Sequence, residues 1–267
     1  MFDYIVIGSG SGGSVVASRL SEDPNCQVCL LEAGKPDKSI FIHAPIGTAA
    51  LLPRKFYNWA FDTVPQKHLN SRKGYQPRGK TLGGSSSINA MLYVRGHKSD
   101  YDDWAALGNP GWGFDDVLPY FKRAENNERG ADDLHGTGGP LNVADLASHM
   151  PICDVFMDAA MQIQLPRSTD FNGPEQEGIG PYQVTQKNGE RWSAAKGYLT
   201  PNLSRPNLHV ITEAQATKIL MEGKKATGIA YSQGGKITEI KAAREVILCG
   251  GAFASPQLLL LSGIGPA

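Results

Sequence analysis

The chain has 267 residues, which at roughly 150 residues per domain allows one large domain or two small ones. Hydrophobic residues make up 41% and charged residues 19%, which excludes a disordered or fibrous chain. Lys+Arg and Asp+Glu both number 26, so no net charge points to a nucleic-acid partner, and the unusual number is 31 glycines, which fall in clusters rather than at a period.

Residues 3–7, carried by the apolar, β-branched run Ile5-Val6-Ile7, predict a buried parallel strand. A glycine turn follows at 8–13, a helix is predicted over 14–21, and Asp23-Pro24-Asn25 ends it. A second buried strand at 28–31 completes a β-α-β unit. Cys26 and Cys29 form a C-x-x-C, but strand positions i and i+3 point to opposite faces, so a redox pair is not expected. Residues 35–76 are broken by prolines and carry Phe56, Tyr57, Trp59 and Phe61. Short amphipathic helices are predicted at 100–107 and 115–123, a surface loop at 125–140 and a further helix at 152–163. From 207 the pattern turns to β: 208–212, 216–221, 226–231 and 236–242 predict a small antiparallel meander. Another short strand at 245–249 runs through Gly250-Gly251 into a helix at 256–261. No run of 18 apolar residues predicts a membrane-crossing helix, and the N-terminus lacks a basic signal region. A reduced, cytoplasmic chain is the expectation, and no His/Cys spacing suggests a metal.

Gly8-Ser9-Gly10-Ser11-Gly12-Gly13 supplies G-x-G-x-x-G between a strand and a helix, with Glu32 nineteen residues beyond the last glycine. The first glycine permits the tight turn, the second admits a pyrophosphate, and the third lets helix and strand pack closely. Phosphates would rest on N–H groups at the helix N-terminus. Glu32 would accept from ribose hydroxyls and repel a 2′-phosphate. The fingerprint alone does not separate NAD from FAD.

A second cradle of small residues spans Arg78-Gly79-Lys80-Thr81-Leu82-Gly83-Gly84-Ser85-Ser86-Ser87-Ile88-Asn89. With Tyr93, Gly96 and Asp102, it resembles the first signature of the glucose–methanol–choline (GMC) oxidoreductase family. Gly251-Ala252-Phe253-Ala254-Ser255-Pro256-Gln257-Leu258, followed by Leu261-Ser262-Gly263-Ile264-Gly265, resembles the second. The resemblance implies an α/β fold: a Rossmann-like FAD-binding domain, with its βαβ start and antiparallel β-meander, and part of a second, substrate domain. The FAD-binding core would comprise about 1–35, 77–100 and 200–267, with substrate-side insertions at about 36–76 and 101–199.

The resemblance also implies FAD and its contacts. Gly8, Ser9, Gly10, Ser11, Gly12 and Gly13 would hold the pyrophosphate, and Glu32 with Ala33 the ribose. Arg78, Thr81, Leu82, Gly83, Gly84, Ser85 and Ser86 would line the flavin and its ribityl chain, as would Asn89, Ala90, Met91 and Leu92. Ala216 would contact adenine, and Gly250, Gly251 and Ala252 the adenosine half. Ile88 stands where some members carry a flavin-attaching His, so non-covalent FAD is implied.

Within the family, the aliphatic-alcohol dehydrogenases and choline dehydrogenase look nearest. The implied reaction is hydride transfer from a small primary alcohol to the flavin, with a quinone, another carrier or oxygen as electron acceptor, a choice these residues leave open. Peripheral attachment to the inner membrane is implied by the first branch alone, since no amphipathic stretch marks it. The family's catalytic His belongs to its C-terminal half. None of His43, His68, His97, His135, His149 and His209 matches it, and His135 reads as structural. A non-catalytic flavin-binding remnant and a nicotinamide oxidoreductase are the rival readings.

Overall fold

The computed structural model describes residues 1–148 and 150–266. His149 and Ala267 lie outside the described residues. The chain divides into two compact units, 1–90 with 193–267 and 91–192. The segment 36–76 therefore falls in the first unit, and 91–100 in the second.

The first unit is built on six strands: β1 (Phe2–Ile7), β2 (Val28–Leu31), β3 (Leu208–Ile211), β4 (Gln215–Glu222), β5 (Lys225–Gln233) and β6 (Lys236–Leu248). They form one sheet in the order β3-β2-β1-β6-β5-β4. β3, β2, β1 and β6 are parallel neighbours, with Ile5 opposite both Cys29 and Val246. β6-β5-β4 is antiparallel. Helix α1 (Ser11–Leu20) connects β1 to β2. Helix α2 (Gly251–Leu261) follows β6, with Pro256 inside it rather than opening it.

Period-two alternation accounts for the continuous apolar runs. Ile5, Ile7, Cys29 and Leu31 enter one core with Leu258 of α2, while Val6, Val28 and Leu30 enter another with Ala17 of α1. Cys26 and Cys29 fall in these different cores, and burial pushes the Cys29 thiol up to about 12.

Two expectations about the β region need correction. Residues 208–211 do not join the meander; they form the parallel edge strand beside β2. The Asn207 amide fixes that entry by donating to the Ser21, Asp23 and Cys26 carbonyls at 3.1, 2.8 and 2.9 Å. The stretches expected as separate strands at 236–242 and 245–249 are one 13-residue strand, β6. Its first half pairs antiparallel with β5 and its second half parallel with β1, so one strand joins the two sheet types.

In the second unit the expected helices occur as Lys98–Ala106, Phe114–Ala124 and Pro151–Gln162. The surface loop expected at 125–140 is instead partly interior: Glu125, Asn127 and His135 are buried. Glu125 accepts from Arg95 Nη2 at 2.8 Å and from the Gly136 N–H at 3.0 Å. The His135 ring lies between two carboxylates, with Nδ1 3.1 Å from Glu125 and Nε2 2.8 Å from Asp170. Polar residues can be buried when they satisfy one another, and hydropathy alone reads such residues as exposed.

Candidate functional site: a cleft at the ends of the parallel strands

A cleft of about 360 Å³ opens where β1, β2 and β6 end, at Ile7, Leu31 and Leu248. Ligands of open parallel sheets bind beyond the carboxyl ends of the strands, because the loops and helix N-termini gather there.

The turn after β1 forms its floor. Gly8 has φ of +94°, and a Cβ there would stand 2.5 Å from the Cys249 carbonyl oxygen. A Cβ on Gly13 would stand 1.8 Å from the Gly8 carbonyl oxygen, so glycine is what lets α1 begin against β1. Gly10 and Gly12 differ: a Cβ on either would meet nothing within 4 Å. No side chain caps the N-terminus of α1. Its first-turn N–H groups lack intrahelical partners and, with the helix dipole, favour an anion.

Glu32 is 5% exposed and lines the cleft. One carboxylate oxygen accepts the Ser9 N–H at 2.9 Å and the Ser9 hydroxyl at 2.6 Å; the other accepts the Gly34 N–H at 2.8 Å. A carboxylate offers about four lone-pair positions, so one acceptor direction remains. Burial pushes the carboxyl above its ordinary range, against the lowering pull of Ser9 and Gly34.

The opposite wall comes from the 57–85 region. Asn58 is buried, and its Oδ1 accepts the backbone N–H groups of Ala60 and Arg78 at 3.0 and 2.9 Å. That arrangement presents a cation–aromatic stack at the rim. Lys80 Nζ lies 3.9 Å from the Trp59 ring centroid, and Trp59 stacks on Phe61 at 5.6 Å. Phe61 meets the edge of Phe253 at 6.0 Å, and the Arg78 guanidinium covers Phe253 at 4.4 Å. Among the described lining residues, Glu32 and Arg78 are the charged side chains.

Of the expected contacts, Gly8, Gly10, Ser11, Gly12, Glu32, Ala33, Arg78, Gly84, Ser85, Ala216, Gly250, Gly251 and Ala252 line the cleft. The others lie off it. Ser9 is buried and holds Glu32. Gly13 packs behind the turn. Thr81 is buried and donates to the Lys35 carbonyl at 2.8 Å, while Leu82 enters the core. Gly83 and Ser86 are joined by a 2.6 Å bond from the Ser86 hydroxyl to the Gly83 carbonyl. The Asn89 carbonyl accepts from the Thr48 hydroxyl, and Ala90 is exposed. Met91 and Leu92 belong to the second unit. Trp59, Phe61, Ala214, Gln215 and Phe253 line the cleft although none of them was expected as a cofactor contact. Trp59 and Phe61 do carry a signal, since aromatics two apart can share one face of an extended segment.

The GMC oxidoreductase profile matches residues 2–267. The chain belongs to that family. The family's N-terminal domain binds FAD. The chain is 51% identical, over its whole length, to an alcohol dehydrogenase [acceptor] of Pseudomonas putida, of which it covers 49%. It is 48% identical over 99% of its length to an oxygen-dependent choline dehydrogenase of Sinorhizobium fredii, covering 48% of that protein. The chain thus spans about half the length of these curated relatives. Pyridoxine 4-oxidase from Mesorbium loti superposes with a TM-score of 0.95 at 36% identity, covering all of this chain and 52% of that one. An FAD-dependent oxidoreductase from Chaetomium thermophilum superposes at 0.93 with 32% identity, covering all of this chain and 48% of that one.

Proposed function

We propose that this GMC chain forms the FAD-holding part of an enzyme that oxidises a primary aliphatic alcohol to the aldehyde. One observation carries the dinucleotide reading, which membership of the family makes FAD: the cradle is open where a diphosphate needs close approach, at Gly10 and Gly12, and closed where only packing is needed, at Gly8 and Gly13. The uncapped N-terminus of α1 would take the pyrophosphate oxygens, and Arg78, held over Phe253, would offset their charge. Glu32 would use its remaining acceptor direction for a ribose hydroxyl. Ala214, Gln215 and Ala216 would bound the adenosine end. Trp59, Phe61 and Phe253 give the rim apolar surface that excludes water.

When bound, FAD supplies the two-electron acceptor for the carbon-bound hydrogen. The alcohol's hydroxyl proton needs a separate acceptor. Glu32, bound to Ser9 and Gly34, would spend its one remaining acceptor direction on the ribose, and Arg78 is a cation, so neither serves. The base is assigned to the half of the relatives' length that this chain does not span. The 51% identity to the Pseudomonas putida alcohol dehydrogenase [acceptor] supports an alcohol substrate. The 48% identity to a choline dehydrogenase supports choline as a second reading.

The test is anaerobic titration of the full gene product carrying this chain. Retained yellow flavin that bleaches with a medium-chain primary alcohol is the expected result. Bleaching by choline and not by the alcohol selects the second reading. Absence of retained flavin, or flavin that neither compound bleaches, overturns both.

A further inference from the structure

On the FAD reading above, we propose that Asn58 is a positioning residue for the cofactor. Its amide locks a strained turn that carries Trp59 to the cleft in register with Arg78.

Asn58 is 2% exposed. A side-chain amide has two N–H donors and two acceptor lone pairs, and here all four are used. Nδ2 donates to the Leu52 carbonyl at 3.0 Å and to the Tyr75 hydroxyl at 2.9 Å. Oδ1 accepts the Ala60 and Arg78 N–H groups at 3.0 and 2.9 Å. The Tyr75 hydroxyl donates onward to the same Leu52 carbonyl. One amide therefore ties together the chain at 52, 60, 75 and 78.

The backbone on either side is strained. Tyr57 has φ of 54° and Ala60 of 50°, and neither is glycine. A β-carbon in the left-handed region costs roughly five- to thirtyfold in equilibrium at each residue. Such conformations persist where the surroundings over-determine them, and they gather at functional sites. Here the surroundings are the Asn58 bonds and two backbone bonds. The Trp59 N–H donates to the Arg78 carbonyl and the Lys80 N–H to the Tyr57 carbonyl, both at 2.8 Å.

What the turn delivers lies at the cleft. Trp59 and Arg78 both line it, while Asn58 does not. The Asn58 oxygen holds the N–H that follows Trp59 and the N–H of Arg78 itself, so one acceptor sets both side chains. Trp59 is thereby placed under Lys80 Nζ and against Phe61. Without the clamp, Ala60 relaxes to ordinary backbone angles, the chain beneath Trp59 turns, and its ring leaves the rim.

The test needs no turnover. Flavin release from the flavin-loaded full gene product is followed on dilution by regained flavin fluorescence, beside denaturant unfolding. Asn58→Ala should speed release roughly 10- to 25-fold, since two bonds to the turn are lost at about fivefold each. Adding Ala60→Gly should recover roughly fivefold, because glycine takes a positive φ without the clamp. Ala60→Gly alone should leave release unchanged. Asn58→Asp keeps both acceptor bonds and decides the matter if Asn58→Ala does not fold. Its release should be near parental at acid pH, where a protonated carboxyl still donates to the Leu52 carbonyl. Release should quicken once the carboxyl ionises and turns a charged oxygen on that carbonyl, a pH step that the parent lacks. An asparagine that serves folding alone would give neither the glycine recovery nor that step. Parental release from Asn58→Ala, no recovery by Ala60→Gly, or a parental pH profile in Asn58→Asp overturns the proposal. A parent that retains no flavin overturns the reading of the cleft and the role of Asn58 together. A parent that retains flavin beside variants that retain it equally overturns the role of Asn58 alone.

Discussion

Ser9 gives both its backbone N–H and its hydroxyl to one oxygen of Glu32, at 2.9 and 2.6 Å. The middle of the glycine turn thus holds the end of the second strand, and the other carboxylate oxygen is left to Gly34 and the cleft. Glu32→Gln preserves the shape but removes the charge and places an amide donor near the Ser9 N–H. A hydrogen bond to a charged group contributes about 1.5–3 kcal/mol, so FAD affinity should fall roughly 10- to 100-fold. Fluorescence titration of flavin-stripped protein measures it; unchanged affinity would remove Glu32 from the site.

Gly12 and Gly13 are adjacent, yet their substitutions should separate folding from binding. A Cβ on Gly13 would stand 1.8 Å from the Gly8 carbonyl oxygen, and relief requires α1 to move off β1. Gly13→Ala should cost about 2–4 kcal/mol in denaturant unfolding. Gly12→Ala meets nothing within 4 Å and lies in a helix, so stability should hold or rise by up to about 1 kcal/mol. Flavin retention should nevertheless drop, because the methyl group enters the space proposed for the pyrophosphate.

Arg95 and Glu125 form an ion pair at 2.8 Å, with side chains 3% and 0% exposed. Glu125→Gln leaves a buried guanidinium short of its counter-charge and should cost about 3–5 kcal/mol. Replacing both, with Arg95→Met and Glu125→Leu, should cost less than the sum of the single changes. Additive losses in the unfolding cycle would mean that the pair is uncoupled.

His135 gives the second unit a pH dependence with a definite sign. The bond to Glu125 raises its pKa, with burial opposing and Asp170 assisting. A raised histidine contributes stability that is full below its unfolded value of about 6.5 and is lost as pH rises through the folded value. Burial pushes Glu125 up, but His135, Gly136 and Arg95 outweigh it, and its pKa is lowered. That contribution is present above the ordinary carboxylate value of about 4.3 and is lost as pH falls through the folded one. Stability should therefore plateau between the two, and His135→Asn should flatten the alkaline decline. Unfolding curves across pH would show an unchanged alkaline limb if His135 were uncharged throughout.

The βαβ start, its glycine turn and Glu32 were legible in the amino-acid order because each depends on local rules: period-two burial, a helix start, and glycine where a Cβ has no room. The separation of Cys26 from Cys29 followed from the same alternation. Other features depend on contacts between distant residues. The rim stack joins Trp59 and Phe61 to Phe253, nearly two hundred positions away, through ring geometry that no spacing encodes. Residues 208–211 carry a strand pattern that fits a meander or a parallel edge equally well, and the Asn207 amide reaching back to 21–26 chose the edge.

Glu125 and His135 make the same point for burial. Their polarity predicts a surface loop, and partners from distant parts of the chain, Arg95 and Asp170, help make an interior position tolerable. The sequence by itself determined the dinucleotide cradle and the family to which the chain belongs, because those are short-range patterns of small residues. Only the tertiary structure decided which of the expected residues face the cleft and which hold those that do. Facing and supporting positions share the same residue types, and they differ in what the distant chain packs against them.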